Sequence, residues 1–159
     1  MYIIGFIIII LDGFIVYLIP SYFNELNYFY PMLSITFLVS MYGYSKNYLK
    51  TSFILGFIYD LFYSNIFLYN SLIFLLLAKI NKKIFNYIQN NLFNKILILL
   101  LNIILYDTIN FFIVYFSKYN NVSFNDLVYK VSHSLLLNII FIIIFNILLK
   151  KVLKRKFIK

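Results

Sequence analysis

The sequence predicts an all-α fold: a polytopic integral membrane helical bundle of about six transmembrane helices. Three observations carry that expectation. Hydrophobic residues make up 64% of the chain against 12% charged, far from the balance of a water-soluble domain. The apolar residues form unbroken runs, such as Ile7 to Leu11, Leu97 to Leu101 and Ile139 to Phe145, too many for a chain of this length to bury in its own core. The cations sit in short clusters between those runs, the pattern of a topology signal.

The first span covers about 2–20. Met1 to Pro20 has no Lys or Arg and carries Asp12 inside its apolar run, so it reads as a retained helix rather than a cleaved signal peptide. The second covers about 29–45, with Pro31 just inside its start, where a first-turn N–H has no helical partner anyway. The apolar stretch from Thr51 to Ala78 is long enough for one tilted helix or two short ones. A hinge near Ser64 and Asn65, where helix propensity drops, would divide it.

The distribution of Lys and Arg chooses between these, because cytoplasmic connections retain positive charge. With spans over 47–63 and 66–82 and the N-terminus inside, the cytoplasmic segments hold Lys46, Lys50, Lys79, Lys82, Lys83, Lys95, Lys150, Lys151, Lys154, Arg155, Lys156 and Lys159. That is twelve of the fourteen cations, leaving only Lys118 and Lys130 outside. An inverted five-span arrangement places ten inside. Six spans with both termini cytoplasmic is the expectation. The two middle helices are then about 25 Å long, short for a bilayer core, and Lys50, Lys79 and Lys82 snorkel to the interface.

A fifth span follows over 96–116 and a sixth over 135–151, continuing into a basic tail over 150–159 suited to anionic lipid headgroups. The connection from Ser117 to Ser134 is the longest, polar and Asn-rich, with Asp126 and His133. Tyrosines near span ends, among them Tyr17, Tyr28, Tyr44 and Tyr115, fit the headgroup layer. The whole chain forms a single transmembrane domain.

Several function classes drop out. The net charge of +9 comes from interspan clusters, not from a basic helix or aromatic platform, so no nucleic-acid partner is expected. The absence of cysteine excludes thiol catalysis, thiolate metal sites and disulfides. His133 stands alone, so no metal site is expected, and no phosphate loop or Ser/His/Asp arrangement points to a cofactor or to catalysis. Tyr59-Asp60 and Tyr106-Asp107 match only the Tyr-Asp half of the intramembrane aspartyl protease signature. The Gly-x-Gly-Asp and Pro-Ala-Leu motifs are missing.

Asp12, Asp60 and Asp107 are the residues that need explaining, because an aspartate at a helix centre costs about 2.5–3.5 kcal/mol on insertion. In the six-span arrangement all three lie about 15–20 Å from the cytoplasmic side and could share one layer of the bundle. No Lys or Arg is expected at that depth. The carboxyls are then held neutral, bonded to amides and hydroxyls such as Asn70, Ser71, Asn102, Thr108, Asn110, Asn138 and Asn146, or met by a polar group from another protein. Gly56 and Asp60 lie one helical turn apart on one face, which packs inward.

The order of features resembles a known family. Leu11-Asp12, Tyr30-Pro31 followed by Met32-Leu33, and Gly56-Phe57-Ile58-Tyr59-Asp60-Leu61 together resemble the rod shape-determining protein MreD family, over the whole length. The resemblance implies a non-catalytic membrane subunit of the machinery that builds lateral peptidoglycan. Its partners would be an MreC-like scaffold protein and, indirectly, an MreB-like filament, a RodA-like glycan polymerase and a class B penicillin-binding transpeptidase. Pro31, Gly56 and Asp60 are the positions that match the family pattern, with Asp12 matching less closely. Asn65 and Tyr69 stand where many relatives have a glycine, which leaves the shape of that hinge open.

The chain also resembles the substrate-binding subunits of energy-coupling-factor vitamin transporters, six-span proteins of similar size. That alternative implies an outer pocket of aromatic and polar side chains beneath a mobile loop, here the Ser117 to Ser134 connection.

Overall fold

The computed structural model describes residues 1–18, 32–64, 66–117 and 123–154. Among them are six helices and no strand: α1 (Tyr2–Leu18), α2 (Leu33–Ser40), α3 (Tyr48–Tyr63), α4 (Tyr69–Phe85), α5 (Leu92–Ser117) and α6 (Phe124–Lys154). Pro31, Glu25 and the basic tail from Arg155 onward lie outside the described residues. Among the described residues two segments are long and apolar enough to cross a membrane alone, Leu92–Ser117 and Lys130–Lys151, and α1 contributes a shorter apolar stretch, Tyr2–Ile15.

The second helix is much shorter than the 29–45 expected. Among the described residues of that stretch Leu33–Ser40 is helical, about 12 Å of rise, and the following residues turn through Gly43 at φ +83°, a left-handed conformation that glycine adopts without strain. All eight residues of α2 are buried. Buried on every side, with the hydroxyls of Ser34, Thr36 and Ser40 hydrogen-bonded, such a helix belongs in the middle of a bundle, and α2 packs there against α1, α4, α5 and α6.

Helices α3 and α4 form the most extensive interface. Between them the chain leaves the helical conformation at Ser64, whose hydroxyl donates to the Ile66 carbonyl at 3.0 Å and accepts from the Ile66 amide at 3.1 Å. Leu68 then sits at φ +65°, a conformation a branched side chain adopts only under strain, before α4 begins.

The sixth helix corrects the expected Ser117 to Ser134 loop, because α6 starts at Phe124 and runs to Lys154. Ser123-Phe124-Asn125-Asp126 places a serine at the N-cap position with an acid three residues on, a helix-start pattern that outweighs the low hydropathy of the stretch.

Polarity is distributed as a lipid environment requires. The buried set includes Asp12, Asp60, Asn70, Lys95, Asn102, Asp107, Asn138 and Asn146, whereas Ile3, Phe6, Ile7, Phe14, Leu97, Ile104, Ile140 and Ile147 are among the exposed residues. An apolar belt this broad would be a liability in water. Against acyl chains it is the expected outer face.

Candidate functional site: carboxylates at buried helix starts

Two of the three aspartates end on the N-termini of helices other than their own. The N-cap residues of α2 and α4 are Met32 and Leu68, which make no side-chain cap. The first amides of a helix have no partner within it, and in lipid no water takes their place. The acceptor comes instead from the preceding helix. Asp12 of α1 accepts the Leu33 and Ser34 amides, each at 3.2 Å, and the Ser34 hydroxyl at 2.7 Å. Asp60 of α3 accepts the Asn70 and Ser71 amides at 2.9 and 3.0 Å, the Asn70 side-chain amide at 2.9 Å and the Ser71 hydroxyl at 2.8 Å.

The two arrangements repeat one another. Each joins a buried aspartate, two consecutive amides at the start of the next helix, and a serine hydroxyl on the second of those residues. A negative group there also complements the positive end of the helix dipole.

Gly56 is what lets α4 approach. A Cβ at Gly56 would stand 2.6 Å from the Asn70 carbonyl oxygen and 2.6 Å from Ser71 Cα, both backbone atoms that cannot swing aside. Gly56 and Asp60 thus act on the same two residues, one by leaving room and the other by binding. Asn70 extends the contact to α5, accepting from the Tyr106 hydroxyl at 2.9 Å, and Tyr69 donates its hydroxyl to Asn110.

The buried helix α2 is held at both ends. At its start, Asn138 of α6 accepts the Met32 amide at 3.1 Å and the Thr36 hydroxyl at 2.9 Å, beside the Asp12 contacts. At its end, Lys95 of α5 donates to the Ser40 carbonyl at 3.0 Å and to Asn146 Oδ1 at 3.3 Å, with its ammonium 4.9 Å from the Tyr44 ring centroid. Lys95 is only 2% exposed. An anion at the N-terminus and a cation at the C-terminus oppose the two ends of the dipole.

Asp107 differs. It is buried on α5, and Lys130 of α6 brings its ammonium to 3.4 Å from Oδ1, an ion pair rather than a well-aligned hydrogen bond. This corrects the expectation that no cation reaches the carboxyls. The low hydropathy of 117–134 places Lys130 in a connection, and the early start of α6 carries it onto α5 instead.

Of the amides and hydroxyls considered as partners, Asn70 and Ser71 bind Asp60. Asn110, Asn138 and Asn146 serve Tyr69, α2 and Lys95, and both side-chain polar atoms of buried Asn102 lack a partner among the described residues. Each carboxyl has its own set of contacts on a different helix pair. Lys95, Lys130 and Ser34 are the contributors that sequence reasoning missed. Pro31 lies outside the described residues.

The expectation of a vitamin-binding pocket under the Ser117 to Ser134 connection gains nothing from this geometry, since that stretch is helical from Phe124 onward. The family model for the rod shape-determining protein MreD matches residues 1–156. No curated protein and no solved structure matches the chain.

Proposed function

The chain belongs to the rod shape-determining protein MreD family, and from that premise we propose that it is a non-catalytic, multi-pass subunit of the bacterial cell-shape and elongation complex. In this reading it sits in the cytoplasmic membrane with six passes and both termini inside, a topology supported by the lysine distribution. It binds an MreC-like scaffold protein and, through it, is linked to an MreB-like filament, a RodA-like polymerase and a class B penicillin-binding transpeptidase.

The observation that carries the reading is the use to which the membrane carboxyls are put. Asp12 accepts three hydrogen bonds and Asp60 four, all from a neighbouring helix start. They hold helices in register instead of standing free as an acid and a base. A bundle fixed in this way, with an apolar exterior, offers a rigid face for the helix of another membrane protein.

The test is co-purification with an MreC-like partner from membranes expressing both chains. Asp60→Leu frees the start of α4 and is expected to reduce recovery of the complex, while the conservative pair Asp60→Glu and Ser71→Thr retains more of it. Full recovery with Asp60→Leu, in a variant whose melting temperature has fallen, would remove Asp60 from that role.

A further inference from the structure

A second feature lies at the far end of α3 from Asp60. The turn from Tyr42 to Asn47, the first turn of α3 and the last turn of α4 border an open pocket of about 550 Å³ lined by Tyr42, Ser45, Lys46, Tyr48, Lys50 and Lys82 among others. Its walls are built. Tyr42 stacks on Phe85 with ring centroids 4.2 Å apart and meets Tyr48 edge-on at 5.2 Å, and Asn90 donates to the Tyr42 carbonyl at 3.3 Å. The Tyr48 hydroxyl is fixed between the Leu38 carbonyl and the Asn81 amide, each at 3.2 Å.

Lys82 is in the last turn of α4, where a cation complements the helix dipole. Lys46 and Lys50 are placed against it. They flank the N-terminus of α3, the positive end, where the first turn contains no acidic residue and Asn47 makes no side-chain cap. The first amides of α3 therefore also point their unmatched donors toward this end. No acidic residue lines the cavity, and no ion pair engages the three lysines among the described residues. Lys46, Lys50 and Lys82 are exposed side chains bordering one pocket, and three like charges beside a helix start favour an anion there.

We infer that this cavity binds a phosphate group, held by Lys46, Lys50 and Lys82 over the N-terminus of α3. Its volume leaves room for a phosphate ester with its attached group, and two sources carry that chemistry: the headgroup of an anionic phospholipid and a soluble phosphate ester. The inference needs the chain only to be folded in a membrane or detergent, and it stands or falls apart from the partner proposed above.

The experiment uses the full chain in detergent, with native mass spectrometry of retained phosphatidylglycerol against phosphatidylcholine, and a parallel titration with glycerol 3-phosphate. The triple variant K46Q/K50Q/K82Q is compared with K150Q/K151Q/K154Q, which removes the same charge elsewhere. A preference for phosphatidylglycerol that falls at least about tenfold only in the first triple assigns the site to a lipid headgroup. Loss of glycerol 3-phosphate binding only in the first triple, with lipid retention unchanged, assigns it to a soluble ester. Equal losses in both triples, or none in either, overturn the inference. Should the first triple lose helical content, Lys50→Gln against Lys150→Gln makes the same comparison, and equal behaviour again overturns it.

Discussion

The Ser71 hydroxyl lies 2.8 Å from the Asp60 carboxylate, across the turn that joins α3 to α4. With the Ser71 and Asn70 amides on the same carboxylate, this contact makes α3 the cap of α4. The Ser34 hydroxyl stands 2.7 Å from Asp12 in the matching place between α1 and α2. In both, a charge that is expensive in lipid is placed where a helix start would otherwise leave its amides bare.

Asp60→Asn should destabilise the folded chain by about 1–3 kcal/mol, because one acceptor oxygen becomes a donor facing donors. Ser71→Ala removes one hydroxyl contact and should cost about 1 kcal/mol. Thermal unfolding in detergent, followed by circular dichroism, measures both. Coincident melting of Asp60→Asn and the unaltered chain would show that the cap contributes nothing.

Gly56→Ala should cost about 1–3 kcal/mol, in the range of overpacking, since the added methyl meets the backbone of Asn70 and Ser71 at 2.6 Å. The helices must separate, which lengthens the Asp60 contacts as well. The double variant Gly56→Ala with Asp60→Asn should therefore lose less than the two single losses combined. Strict additivity in a double-mutant cycle would mean that the glycine and the aspartate do not act on the same joint.

The all-helical class and the membrane setting were legible in composition together with the unbroken apolar runs, because such runs, apolar on consecutive positions instead of alternating ones, cross lipid as helices and not as barrel strands. The shared face of Gly56 and Asp60 was also readable, from a spacing of four on a helix. What that face does was not. It depends on where α4 starts, and Leu68 at φ +65° gives no signal of its own. Lys95 looked like a loop cation because the stretch before it is polar; its burial follows from α2 ending at Ser40, a boundary fixed by tertiary packing. Lys130 was missed for the related reason that 124–134 reads as polar, although Ser123 and Asp126 marked a helix start.

The Lys130 and Asp107 pair joins a buried carboxyl to a half-buried ammonium. Lys130→Met leaves the Asp107 carboxyl without its only ion-pair partner among the described residues and should cost about 1–3 kcal/mol, less than for a pair buried on both sides. Adding Asp107→Leu should restore most of that loss, since an apolar side chain then replaces the buried carboxyl. Melting temperatures of the single and double variants decide it. A double variant no more stable than Lys130→Met alone would show that the two residues are not coupled.

Asn102 offers the opposite sign. It is fully buried on α5, and neither its Oδ1 nor its Nδ2 has a partner among the described residues. Burying an amide without hydrogen bonds costs about 1–3 kcal/mol in proteins, so the isosteric Asn102→Leu should raise stability where most core substitutions lower it. The same substitution separates two uses of the residue. If α5 packs Asn102 only within this bundle, Asn102→Leu raises the melting temperature and leaves recovery of an MreC-like partner intact. If the amide is kept for a group that another chain supplies, the melting temperature still rises but recovery of the complex falls. A lowered melting temperature would mean that the amide already has a partner in the folded protein, and would remove the premise of both.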